Sequence, residues 1–291
     1  MPVSDNPRGA LFMCISMFAF TLNDSLMKSA TQTLPLFQSM AIRGVLTIAG
    51  LLVVAHVTGG IRLLPAAPRD RRRVALRSLA EVVATVLFLL ALRQMPLANI
   101  SAILQSVPLM VTLAAALFLG ETVGWRRMTA ICVGFLGVLL IVRPGGADFD
   151  LWSVLALASV VGVVARDLVT RGISHAVPAA TVAVWAALLV TLAGFVMSIP
   201  QGWVMPNAVE LIKLAAAAGA LVVGYTASVM TMRLGDVGFI APFRYTSLVW
   251  ALLLGWIGFG PLPDGVTLIG AGVVVASGLY TLWRERRLHA R

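Results

Sequence analysis

Charge is what this chain has least of. Only 12% of its 291 residues are Asp, Glu, Lys or Arg, about half of the ~25% that soluble domains carry. With 59% apolar residues and a mean hydropathy of +0.95, the deficit excludes an ordinary water-soluble domain and points to lipid as the solvent. Cysteine is scarce as well. Cys14 and Cys132 stand inside apolar stretches, without the spacing of a redox or metal site. His56, His175 and His289 lie far apart, so no metal, no cofactor and no convergent catalytic group is expected; this argues against an enzyme. The phosphate-cradling GxxxxGK[ST] loop is missing, which excludes an ATPase. The first apolar run is not preceded by a strongly basic leader, so it is expected to stay in the protein.

What charge there is has a definite placement. The net +10 comes from short clusters such as Arg69–Arg73 and Arg284–Arg287, set between long apolar runs. No basic groove for nucleic acid is formed this way; clusters beside spans are topology signals. Crossing a bilayer takes about 20 mainly apolar residues. Ten segments approach that length: 9–27, 36–58, 76–95, 98–120, 126–142, 151–168, 179–198, 210–232, 238–259 and 265–283. With the N-terminus inside, sixteen basic residues fall on the cytoplasmic side and four outside. A multi-pass protein of the inner membrane with both termini cytoplasmic follows.

Internal similarity gives the ten spans an organisation. A shift of 143 residues aligns Ser16 with Ser159, Asp24 with Asp167, Lys28 with Arg171 and Pro35 with Pro178. Shifts of 140 and 141 align Arg93 with Arg233, Gly120 with Gly260, Gly137 with Gly278 and Arg143 with Arg284. The expected fold is therefore an all-α membrane bundle of two five-helix repeats, residues 1–145 and 146–291. Five is odd, so the copies enter the membrane from opposite sides, an arrangement typical of secondary transporters.

Several local patterns now carry a resemblance. They are Asn23-Asp24-Ser25-Leu26-Met27-Lys28, Arg43, Leu119-Gly120-Glu121, the Gly134 and Gly137 run, Ala241-Pro242-Phe243-Arg244-Tyr245 and the Gly270–Gly278 run. Together they resemble the drug/metabolite transporter superfamily, in its ten-helix form with two EamA-type repeats. The second copy reads Phe259-Gly260-Pro261 where the family often has a carboxylate matching Glu121. The resemblance implies a bundle around a central cavity, working by alternating access without nucleotide hydrolysis.

Ionisable residues within spans are costly and usually line cavities. At ~1.5 Å per residue, Arg43 and Gln105 lie roughly 10 Å from one membrane face, and Arg244 and Glu81 at a similar or shallower depth from the other. Two polar clusters are expected, Arg43 with Gln105 and Arg244 with Glu81, the arginines anchoring a polar or anionic substrate group. The competing structural role is a buried pair in which Glu81 neutralises one arginine. Asn99, Tyr225, Tyr245 and Thr246 complete the substrate-binding candidates. Asp24 and Asp167 are candidates for ion coupling, or for helical pairs with Lys28 and Arg171 four residues on.

These residues predict a transporter of a small polar metabolite, as monomer or homodimer, with the bilayer and the solute as its partners. Buried arginines with Tyr245 and Trp250 suit a polar aromatic solute, so uptake of a riboflavin-like vitamin is the specific expectation. Export of amino acids or related metabolites is the alternative, and a membrane-embedded lipid enzyme the remote one.

Overall fold

The computed structural model describes residues 6–58, 67–120, 124–144, 150–174, 176–234, 237–260 and 262–289. Among them the regular structure is helical, with no strand. In chain order the helices are α1 (Asn6–Ala30), α2 (Leu36–Thr58), α3 (Pro68–Gln94), α4 (Leu97–Leu104), α5 (Val107–Leu119) and α6 (Trp125–Val142). They continue with α7 (Leu151–Arg171), α8 (Ala179–Ser198), α9 (Ala208–Leu234), α10 (Val237–Ile240), α11 (Thr246–Phe259) and α12 (Gly265–His289). Nine spans among the described residues are long and apolar enough to cross a bilayer, with α4 and α5 together forming the fourth. The family positions Glu121 and Pro261 lie outside the described residues.

The differences from the sequence reading are local and have causes. The fourth span, expected as one helix over 98–120, is broken at Gln105–Ser106. Pro108 has no N–H to give, and its ring crowds the carbonyl of Leu104, so α4 closes there. The ninth span, expected as one helix over 238–259, passes through a 3₁₀ turn at Ala241–Tyr245 that carries Pro242 near its start. Helix α3 begins at Pro68 rather than 76, because proline suits the first helical turn and Asp70 favours the positive end of the helix dipole. Its added turns are polar and dock on the end of α7: Asp70 accepts from the Ser174 N–H at 3.2 Å, and Arg73 donates to the Gly172 carbonyl.

Spans pack as α1 with α9, α3 with α7, α2 with α8, α6 with α12, and α4 with α11. Exchanging each span with the one five places along leaves this set of pairs unchanged. Helices α6 and α12 touch most closely at Gly137 and Gly270, where an added Cβ on Gly137 stands 2.8 Å from the Gly270 carbonyl oxygen. Small residues of this kind let backbones meet where lipid supplies no hydrophobic drive. The outward faces are apolar, with Leu11, Val53, Leu136, Ile212 and Ile257 exposed, as a lipid-facing shell requires. Beyond the spans, Asp264 precedes α12 and accepts from the Thr267 hydroxyl and from Arg143 at the end of α6. Those two contacts hold its carboxyl down to about 2.

Candidate functional site

The bundle encloses a cavity of about 690 Å³, within the 300–1,000 Å³ usual for small-molecule sites. It reaches the surface where α3 begins and α7 ends, beside exposed Thr170 and Arg171. Both broken spans face it. Gln105, at the break of the fourth span, donates to the Ser247 hydroxyl of α11 at 2.5 Å. Irregular backbone is tolerated at membrane depth where it lines such a cavity.

Five arginines and three carboxylates line the space, and most are organised in two groups. Near the mouth, Glu81 on α3 sits between two guanidinium groups. Arg77 approaches it at 3.0 Å from one helical turn away, and Arg166 of α7 reaches its two oxygens at 3.2 and 3.3 Å. Arg166 also holds Asp167, at 2.8 Å. Two cations and two anions balance here, as partly buried charges must. Deeper in, Arg43 of α2 donates through Nη1 to Asn23 Oδ1 at 3.1 Å, and the Asn23 amide donates to Asp24 at 2.9 Å. Phe20 and Tyr225 form the adjoining wall, edge to face with ring centroids 5.4 Å apart. Arg244 lines the cavity and makes no ion pair among the described residues.

The expected residues are thus largely brought to one place, in partnerships that spacing along the chain does not reveal. Asp24, Arg43, Glu81, Gln105, Asp167, Tyr225 and Arg244 line a single cavity rather than two clusters. Glu81 is held by Arg77 and Arg166, not by Arg244 or Arg43. Asp167 pairs with its neighbour Arg166. Lys28 turns away from Asp24 to donate to the carbonyls of Leu92 and Met95 at 2.7 and 2.8 Å, closing the C-terminus of α3. Asn99, Tyr245 and Thr246 are not among the lining residues. The Tyr245 ring packs against Gly278, and Thr246 bonds back to the Phe243 carbonyl at 2.6 Å. Trp250 packs on Phe18 with centroids 5.0 Å apart. Arg77, Arg166 and Asn23 are lining residues that the sequence reading did not select. The four-residue spacing of Arg77 and Glu81 was the available signal.

A second cavity, of about 500 Å³, lies at the far end around Lys28, Gln94, Trp256 and Phe259. It shares no lining residue with the first. On four helices a fully buried residue stands between them: Met27 on α1, Leu92 on α3, Ile100 on α4 and Ala251 on α11. Buried apolar side chains thus separate the main cavity from this one at its deep end.

Residues 7–143 match the EamA-like transporter family. A riboflavin transporter of Vibrio cholerae is 28% identical, over 99% of this chain and 97% of its own length. The first half of the chain thus matches the EamA-like transporter family, and the full-length relatives are transporters. A pseudopaline exporter of Pseudomonas aeruginosa is 25% identical over 96% of the chain and 97% of its own length. An S-adenosylmethionine uptake transporter of Rickettsia felis is 24% identical over 67% of the chain and 66% of its own. A solved crystal structure shares the fold, with a TM-score of 0.68 at 18% identity over 97% of this chain and 99% of that one. Similarity to these transporters and the nine bilayer-length helices among the described residues make the chain a multi-pass membrane transporter of small metabolites rather than an enzyme.

Proposed function

We propose that the protein takes up a riboflavin-like vitamin across the inner membrane by alternating access. The observation that carries this reading is the main cavity itself, of small-molecule size, closed at one end, with an aromatic wall beside buried guanidinium and carboxylate groups. The full-length similarity to a riboflavin transporter supports the choice of solute. The set of span pairings that survives the five-place exchange supports two inverted repeats, residues 1–145 and 146–291. The basic clusters support both termini on the cytoplasmic side, with the cavity mouth facing that side. Arg244, exposed at the cavity and without an ion pair among the described residues, is the anchor for a polar group of the arriving solute. Asp24 and Asp167 are the groups available for ion coupling. The protein works as a monomer or a homodimer.

The test is uptake of radiolabelled riboflavin into cells that lack their own importer. Expected are accumulation above the empty vector and a fall of at least about tenfold for Arg244→Ala at equal membrane insertion, the loss of one charged hydrogen bond. No uptake by the wild type rejects the reading; unchanged uptake by the variant removes Arg244 from it. Export of an amino-acid-like metabolite is the second reading, supported by the pseudopaline exporter. Uptake into inverted vesicles, with none into intact cells, favours it.

A further inference from the structure

Asp24 and Arg43 are opposite charges on one cavity wall that do not meet. Asn23 bonds to both, and no ion pair joins them directly among the described residues. Arg43 is only 5% exposed, its Nη1 is spent on Asn23, and its Nε has no hydrogen-bond partner. Asn23 occupies Asp24 Oδ1 and leaves Oδ2 without a hydrogen bond among the described residues. Buried ions normally close on each other, because an unsatisfied charged group in a dry site is expensive. Here a polar spacer holds them apart, one presenting N–H donors and the other an acceptor to the same space.

We infer that Asn23, Asp24 and Arg43 form a subsite for the imide edge of a flat heterocycle. The guanidinium donates to a ring carbonyl, and Asp24 accepts from the neighbouring ring N–H. The cluster already holds one positive and one negative charge, so a neutral edge completes its hydrogen bonds without adding charge to the site. Phe20 lies one helical turn before Asp24 on α1, with Tyr225 against it, and offers the rest of the ring an apolar face. This rests on the proposed transport of a riboflavin-like vitamin, whose pyrimidine edge presents carbonyl, N–H and carbonyl in a row. It assigns that edge to the deep end and leaves the sugar-like chain toward the mouth, near Glu81 and Arg166.

Binding of riboflavin and of N3-methylriboflavin to the purified full-length protein in detergent, read by tryptophan fluorescence, tests it. Methylation removes the one ring donor and sets a methyl group in its place. Riboflavin is expected to bind about ten- to a hundredfold more tightly than its N3-methyl derivative, the worth of a hydrogen bond to a charged acceptor. Asp24→Asn, which keeps an acceptor oxygen but not its charge, is expected to weaken riboflavin binding and so narrow its advantage over the methyl derivative. Equal affinity of the two ligands for the wild type overturns the subsite and leaves vitamin transport standing. Absence of riboflavin binding overturns both. Competition by a free amino acid as strong as by riboflavin also overturns it, since a zwitterion would then be the fitted ligand.

Discussion

Replacing Glu81 by Gln removes one negative charge from between two guanidinium groups and keeps the shape of the side chain. Glu81 is 10% exposed at its side chain, Arg77 11% and Arg166 23%, so water screens the remaining charges poorly. Arg166 keeps Asp167, whereas Arg77 loses the one ion-pair partner it has in the cavity. Breaking a buried pair by removing one member costs about 3–5 kcal/mol; with Asp167 still compensating Arg166, about 3 kcal/mol is the expected figure. For a chain of this size that is a fall in Tm of roughly 6–12 °C. The assay is thermal unfolding in detergent, followed by tryptophan fluorescence and by monodispersity on size-exclusion chromatography. The double variant Glu81→Gln with Arg77→Gln restores neutrality and is expected to recover about half of the loss, an interaction energy of the size seen for contacting residues. A Glu81→Gln protein that melts with the wild type refutes the claim that this carboxylate holds α3 against α7. A double variant less stable than the sum of the two single changes refutes the electrostatic origin.

Other elements make independent predictions. Gly137→Val forces side-chain carbons against the Gly270 carbonyl, and should destabilise the α6–α12 contact by about 1–3 kcal/mol, read as lower folded yield at equal expression. Lys28→Met keeps the packing but leaves the carbonyls of Leu92 and Met95 without a donor, at about 1–3 kcal/mol, seen as a lower Tm with the main cavity's ligand affinity unchanged. Asp264→Asn is expected to lower Tm at neutral pH. Because the native carboxyl of Asp264 is held down to about 2, its contribution is complete above its unfolded value near 4 and fades as pH falls toward 2. The gap between wild type and variant should therefore close only in acid, and a gap that closes near pH 7 refutes the assignment.

The spans were legible because a run of about twenty apolar residues would be insoluble anywhere but in lipid or a large core, and their ends fell close to the turn chemistry between them. The breaks at Gln105 and at Ala241–Tyr245 were marked by Pro108 and Pro242, but a proline within a span permits either a kink or a break. Packing against the cavity decides between them. Residues of the cavity were recognisable one at a time, since Arg43, Glu81 and Gln105 are costly where they stand. Their partners were not, because partnership depends on distances that sequence spacing does not encode. Arg166 lies 85 residues from Glu81, and counted along the chain it reads as a topology signal near a span end. Lys28 has a carboxylate four residues before it, yet the open carbonyls of α3 compete better for its ammonium. Tyr245 neighbours Arg244 in sequence, but the 3₁₀ turn carries it to Gly278 and away from the cavity.

The partition of Met27, Leu92, Ile100 and Ala251 has an electrical consequence. Polar and charged side chains line the cavities on either side of it, so the membrane voltage is expected to fall more steeply across this buried layer than evenly over the bilayer. A charge carried from one side of the layer to the other senses nearly the whole field, about 2.3 kcal/mol per elementary charge at 100 mV. A solute that enters the main cavity and leaves by the same mouth does not cross this layer. Crossing this layer is therefore the event on which membrane voltage is expected to act, checked by the voltage dependence of solute movement in vesicles.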